Sequence, residues 1–167
     1  MVGWSLFFSV PFQTIHSDVV KSTIVLFLSE MMHYSIHEEE ENEALFTYLE
    51  TSLLWLDAHD DMVNFHLIFL LEATKYLGFY PDISDFEMPF FEMKEGNFSL
   101  FSAISALSEH ETMLFKKLIN LKFESDIKTF HVIERQLLLK ILIDYYSYHL
   151  EGFRKPKSVE VLKEVFS

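Results

Sequence analysis

The chain has 167 residues, half of them apolar and 16% aromatic, with 18 Phe, so it must bury a core and cannot be a disordered chain. A length of this order suits one domain or one domain with a small appendage. The net charge of −13 argues against nucleic-acid binding by this chain alone, since phosphate neutralisation supplies most such affinity, and the absence of Cys excludes a disulfide framework and a thiolate zinc site.

The charge is unevenly spread. Residues 1–60 hold ten acids against Lys21 alone, and residues 61–115 hold nine acids against Lys75 and Lys94. Residues 116–167 hold ten bases and seven acids, so the last third is mildly positive. The acidity elsewhere keeps an apolar domain in solution. With four Gly and four Pro, tight turns are few, which favours helices over a sandwich.

Residues 1–10 are apolar around Leu6, Phe7 and Phe8 but lack a basic flank, and Pro11 cuts the run short. They fit neither a signal peptide nor a membrane span. Charged residues interrupt every later apolar helix before ~18 residues. Ser17 is placed to cap a first helix running to Ile36, apolar nearly all round, with a thin polar strip of Ser22, Ser29 and His33. The acidic run 38–41 reads as a solvated connection. Asn42 caps a second helix whose Leu45, Leu49, Leu53 and Leu56 share a face, broken by the polar cluster 57–61. A third helix over 62–77 stops at Gly78. Short connections imply that these three form an antiparallel bundle.

Pro81, Pro89 and Gly96 punctuate residues 79–107. The runs 90–93 and 98–101 flank a turn containing Gly96, which predicts a short hairpin lying against the helices. Ser108 and Glu111 have capping-box spacing for a helix to Asn120. Thr129 opens the longest helix, to Glu151, with Ile133, Leu137, Ile141, Tyr145 and Tyr148 on its apolar face. Arg154, Lys155 and Lys157 then form a basic linker, and Ser158 caps a last short helix. The expectation is a mainly α fold: a bundle of about six helices with a small β-hairpin insertion around residues 88–101, within a helical domain spanning 11–167.

Chemistry is sparse. Glu30 and His33 have the Glu-x-x-His spacing of carboxylate-bridged di-metal bundles, so a metal-dependent helical-bundle enzyme is the alternative reading. Such a site needs a second pair, and the sequence has none. His33 and His37 stand at i, i+4, but Tyr34 follows the first His where a zinc hydrolase needs Glu. The remaining six His are scattered and mostly surface-like in pattern. No nucleophile elbow and no phosphate-cradling glycine loop occurs. No catalytic residue, metal or cofactor is therefore expected. Arg154, Lys155 and Lys157, near Lys163, could grip an acidic peptide tail or a phosphate. The chain reads as one that binds rather than catalyses.

Three ordered segments then matter together. The first runs from Val19-Val20-Lys21-Ser22 through Ser29-Glu30 and the acidic run to Leu45-Phe46-x-Tyr48-Leu49. The second is Asn64-Phe65-His66-Leu67-Ile68-Phe69-Leu70-Leu71 followed by Tyr76-Leu77-Gly78-Phe79-Tyr80-Pro81. The third is Tyr148-x-Leu150 followed by Lys157-Ser158-x-x-Val161-Leu162. In this order they resemble the C-terminal helical domain of the bacterial RecO family of DNA repair proteins, in its Bacteroidetes form, over residues 11–166. The match is poor across 82–128.

The resemblance implies a cytoplasmic, nucleoid-associated, non-catalytic recombination mediator. Its partners would be RecR and the C-terminal tail of the single-strand-binding protein, and it would assist RecA loading. The family begins with an oligonucleotide-binding β-barrel that this chain lacks, so residues 1–10 read as a remnant, an alternative start or a cloning scar. A four-cysteine zinc ribbon found in many members is also missing. Leu67 and Ile68 stand where some relatives carry the basic residues that hold the acidic tail. Lys75, or the cluster Arg154, Lys155 and Lys157, would have to substitute.

Overall fold

A computed structural model describes residues 11–37, 41–60, 62–125 and 127–167. Residues 1–10, most of the acidic run at 38–40, Asp61 and Asp126 lie outside the described residues. In chain order the elements are α1 (Val19–Ser35), α2 (Glu43–Ala58), α3 (Phe65–Leu77), β1 (Phe90–Glu92), β2 (Asn97–Ser99), α4 (Glu109–Ile119), a 3-10 turn (Ile127–Thr129), α5 (Val132–His149) and α6 (Val159–Val165). The fold is mainly α with a small hairpin, as the apolar periodicity predicts.

α3 sits at the centre. Every residue from Phe65 to Leu71 is buried, as are Ala73 and Thr74. A helix apolar on all sides needs partners on all sides, and α3 packs against α1, α2, α4 and α5. Tyr146 donates its hydroxyl to the Leu70 carbonyl at 2.6 Å and Tyr48 donates to the Phe69 carbonyl at 3.0 Å. Buried phenols need such partners, and here the central helix supplies them. Gly78, at φ +94°, closes α3 by donating its N–H to the Thr74 carbonyl. The helix begins at Phe65 rather than 62, because Met62 to Asn64 form a turn, with the Phe65 N–H on the Met62 carbonyl. His66 on α3 is wholly buried between Phe27 and Phe166, which corrects its surface-like appearance in the sequence.

The cap of α1 is Asp18, not Ser17: its carboxylate accepts from the Lys21 N–H at 3.0 Å. Ser17 is instead part of a turn, and both its N–H and its hydroxyl donate to the Thr14 carbonyl. That turn is held by Asp57, in the last turn of α2. The Asp57 carboxylate accepts from the backbone N–H groups of Gln13 (2.8 Å), Thr14 (2.7 Å) and Ile15 (3.0 Å). Buried Lys21 completes the knot, donating to the Thr14 hydroxyl oxygen and the Asp57 carbonyl. Asp57 was expected only as a helix breaker. Burial would raise its pKa, but the donors from residues 13–15 outweigh that and bring it down to about 2.

Asn42 caps α2 as expected, accepting from the Leu45 N–H, and Leu45, Leu49, Leu53 and Leu56 are all buried. The hairpin pairs Phe90 with Ser99, Phe91 with Phe98 and Glu92 with Asn97. Phe91 packs on Phe115 of α4 and Tyr145 of α5, so the hairpin does lie against helices. Gly96 holds φ +72°, and a Cβ there would stand 3.0 Å from the Tyr145 hydroxyl. Glu92 turns inward and accepts from the N–H groups of Lys94 and Glu95 and from the Ser105 hydroxyl. Ser108 and Glu111 form both halves of the capping box on α4.

α5 differs from its sequence reading. It opens at Val132, with Thr129 inside the 3-10 turn; Glu134 reaches back to accept from the His131 N–H at 2.8 Å, and the helix ends at His149. Ile133 is 79% exposed and Tyr148 50% exposed, while Leu138, Leu139, Ile141, Leu142, Ile143, Tyr145 and Tyr146 are buried. The reason is geometric. An i, i+4 row drifts by roughly 40° per step on a 3.6-residue helix, so it leaves the buried face at both ends. Packing against both α3 and α4 needs a wide face rather than one row.

Two changes test these anchors. Asp57→Ala leaves three N–H groups of residues 13–15 without their acceptor and should lower the urea unfolding free energy by about 1–3 kcal/mol. Gly96→Ala forces a left-handed residue against Tyr145 and should cost about 1–3 kcal/mol as well.

Acidification gives a third test. Burial first, and then the Arg135 charge, push the His66 imidazole down to about 3. The unfolded chain therefore binds a proton below pH ~6.5 that the folded chain refuses, so stability falls as pH drops from about 6.5. The Asp57 contribution is full above its unfolded pKa near 4 and is lost as pH falls towards 2. His66→Leu should flatten the stability curve between pH 6.5 and about 3 and leave the Asp57 loss below pH ~4 in place.

Candidate functional site

The last third of the chain, where the bases gather, folds as α5, an extended linker and α6. The linker crosses back because Glu30 of α1 binds its backbone. The Glu30 carboxylate accepts from the Lys157 N–H, the Ser158 N–H (3.1 Å) and the Ser158 hydroxyl (2.7 Å). Burial alone would raise the Glu30 pKa. The Ser158 hydroxyl, the Lys157 and Ser158 N–H groups and the Lys157 charge together hold it below the usual carboxylate range. This corrects two expectations. The Ser158 side chain makes no capping bond to α6, since its hydroxyl is turned to Glu30.

The second correction concerns the metal reading. Glu30 faces backbone donors, and His33 has an exposed side chain packed edge-on against Tyr34. Among the described residues no three His, Asp or Glu side chains come together in a way that could hold a metal ion. The enzyme reading built on Glu30 and His33 is unsupported.

With its entry clamped, α6 buries Val159 and Leu162, and Phe166 stacks on the His66 ring at 5.1 Å and 11°. A trough of about 360 Å³ remains along the seam of α5 and α6. Gln136, Leu139, Lys140, Ile143 and Asp144 line it from α5, Lys155 from the linker, and Val159 and Lys163 from α6. Leu139, Ile143 and Val159 are recessed and apolar. Lys140 pairs with Asp144 at 2.8 Å and Lys163 with Glu160 at 3.4 Å, both within one helix and at the surface. Among the described residues Lys155 has no ion-pair partner. Gln136, Leu139 and Lys163 also border the adjoining small void, which Arg135 lines together with His66. Arg135 donates to the Phe130 carbonyl at 2.7 Å.

Of the basic cluster singled out in sequence, Lys155 and its neighbour Lys163 line this trough. Arg154 and Lys157 are exposed on the linker outside its lining. Lys75 lies in the last turn of α3, paired with Glu72 at 2.7 Å and set 4.6 Å over the Tyr80 ring. Its pKa is raised, since the bond to Glu72 and the Glu72 charge outweigh desolvation. Lys75 borders a different cleft, of about 390 Å³, with Tyr48, Ile68, Tyr80 and residues 119–124, and the two clefts share no lining residue.

Sequence reasoning missed Gln136, Leu139, Lys140 and Ile143 as a set. Their i, i+3, i+4, i+7 spacing was a usable signal, and the error in assigning the faces of α5 hid it.

If Glu30 holds the linker, Glu30→Ala should loosen α6 without unfolding α3. Amide exchange in α6 should quicken by about tenfold or more, in line with the loss of roughly 1–3 kcal/mol of charge-assisted bonding, while exchange in α3 stays slow.

The family model described as "Recombination protein O C terminal" matches residues 16–158. The chain is 68% identical over 159 residues to the DNA repair protein RecO of Flavobacterium johnsoniae, covering 95% of this chain and 67% of that protein. It is 71% identical over 160 residues to RecO of Flavobacterium psychrophilum, with the same coverage. It is 40% identical over 167 residues to RecO of Phocaeicola vulgatus, covering 94% of this chain and 67% of that protein. No solved structure matches at a significant level. Among the described residues no helix is long and apolar enough to cross a membrane.

Proposed function

Because the chain belongs to the RecO family of DNA repair proteins, through its C-terminal domain, we propose that it serves recombination as a non-catalytic protein-interaction module. The family match across residues 16–158 carries this reading. RecR and the acidic tail of the single-strand-binding protein are its partners, and through them it assists RecA loading. The work is cytoplasmic and nucleoid-associated. Lys75, Arg154, Lys155 and Lys157 are the cations offered to acidic partners.

Charge supports a division of labour. A net charge of −13 opposes a polyanion, and phosphate contacts need several unpaired cations on one face. The basic side chains of α5, the linker and α6 are few and partly paired, which suits a short acidic peptide better than a nucleic-acid backbone. Single-stranded DNA is left to a β-barrel domain of the kind that precedes this region in the family.

The test is direct. Titration calorimetry should detect RecR, or a peptide of the single-strand-binding-protein tail, binding to the isolated chain. A labelled 20-nucleotide single strand should bind only weakly at physiological salt. Absence of a complex with either protein partner would sink the module reading. Tight DNA binding that weakens steeply with salt would sink the division of labour.

A further inference from the structure

We propose that the small void where α3, α5 and α6 meet is a binding site for a single chloride ion, held between the buried guanidinium nitrogen of Arg135 and the ring of His66. The site is independent of any protein partner and adds a small inorganic ligand to the fold.

Two buried polar atoms lead to it. His66 is 2% exposed, and its Nδ1 has no hydrogen-bond partner. The Nε of Arg135 is also buried and without a partner, while its Nη1 donates to the Phe130 carbonyl at 2.7 Å. Buried polar atoms are nearly always satisfied, so a single orphan is unusual. Two orphans on different helices, both lining one void, point to a shared ligand supplied from outside the chain.

Charge decides what that ligand is. Arg135 makes no ion pair among the described residues. Burial lowers its pKa, and no carboxylate acts the other way. The chain carries 26 Asp and Glu, yet among the described residues no acid lines this void. Glu134, next to Arg135, is taken up by the His131 N–H at 2.8 Å, and Lys163 at the rim is already paired with Glu160. Burying a charge is costly unless it is paired. Water would satisfy the two nitrogens and leave the charge uncompensated, whereas an anion does both. Chloride accepts from the Arg135 Nε–H and from the His66 Nδ1–H, and a neutral imidazole suffices for that bond.

Size and surroundings agree. The void leaves about 10 Å³ to the centre of a water-sized occupant. That admits one monatomic ion and excludes phosphate, sulfate or a peptide carboxylate. Val132, Leu139 and Leu162 wall it with apolar surface, and the lower local dielectric strengthens each bond to the ion. His66 belongs to α3 and Arg135 to α5, while Phe166, which caps the end of α6, stacks on the His66 ring. A bound ion therefore ties α5 to α3 beside the end of α6, and couples the seating of α6 to chloride concentration.

The test follows the chloride-35 line width as sodium chloride replaces sodium gluconate around the full chain at constant ionic strength. The unaltered protein should broaden the line in proportion to protein concentration, and added bromide should reverse this. Arg135→Gln should remove most of the excess broadening, and Lys117→Gln, exposed on α4, should leave it unchanged. In urea unfolding, raising chloride from about 5 to about 200 mM against gluconate should raise the folded-to-unfolded ratio of the unaltered chain at least about threefold, as a ligand with a Kd of roughly tens of millimolar does. That measurement needs no variant, so it decides the matter even where circular dichroism shows Arg135→Gln to be unfolded.

No excess broadening, or an unchanged folded-to-unfolded ratio, would overturn the site and leave water as the bridge between the two nitrogens. Broadening or stabilisation retained in folded Arg135→Gln would overturn it in favour of diffuse binding at surface lysines. Neither result bears on the binding of RecR, which calorimetry tests separately.

Discussion

The burial of α3 on every side is the constraint from which the rest of the structure follows. A helix whose residues from Phe65 to Leu71 are all apolar or aromatic, apart from His66, has no face to show to water. It must be enclosed, and α1, α2, α4 and α5 enclose it. The enclosing helices inherit their own requirements. α5 has to cover α3 and α4 together, so its buried face is wide. The tyrosines that α5 and α2 bring to the centre find acceptors in the α3 carbonyls of Leu70 and Phe69.

Enclosing a helix with few glycines and no disulfide leaves the connecting segments to be secured in some other way. Three carboxylates do this. Asp57 binds residues 13–15, Glu92 binds the hairpin turn and Ser105, and Glu30 binds residues 157–158. Each satisfies backbone donors that would otherwise lack an acceptor, and ionised acceptors do this more strongly than neutral ones. Some of the large acidic excess thus has a structural use beyond solubility. Glu30 alone holds the linker, so that Lys140, Lys155 and Lys163 meet along one seam of α5, linker and α6.

Much of this was legible in the residues. The Asn42 and Ser108 caps, the Gly78 stop, the leucine face of α2 and the hairpin turn at Gly96 all act within about four residues of themselves, so local chemistry suffices to see them. The ordered motifs ending at Leu77-Gly78-Phe79 carried the family, which the matches to RecO proteins bear out. The faces of α5 were misjudged because one i, i+4 row was followed past the point where helical drift carries it off the core. Glu30 was read with His33, three residues away. Its partners lie 127 and 128 residues away, and no spacing rule reaches that far.

The sequence alone therefore determined the helical class, most of the element boundaries and the family, because apolar periodicity and capping are properties of neighbouring residues. Tertiary structure decided the rest. It sent Glu30 and Asp57 to loop backbone, placed Lys155 in a trough with Lys140 and Lys163, and left Lys75 in a separate cleft. Those outcomes depend on how α3 is enclosed, and enclosure is a property of the whole chain at once.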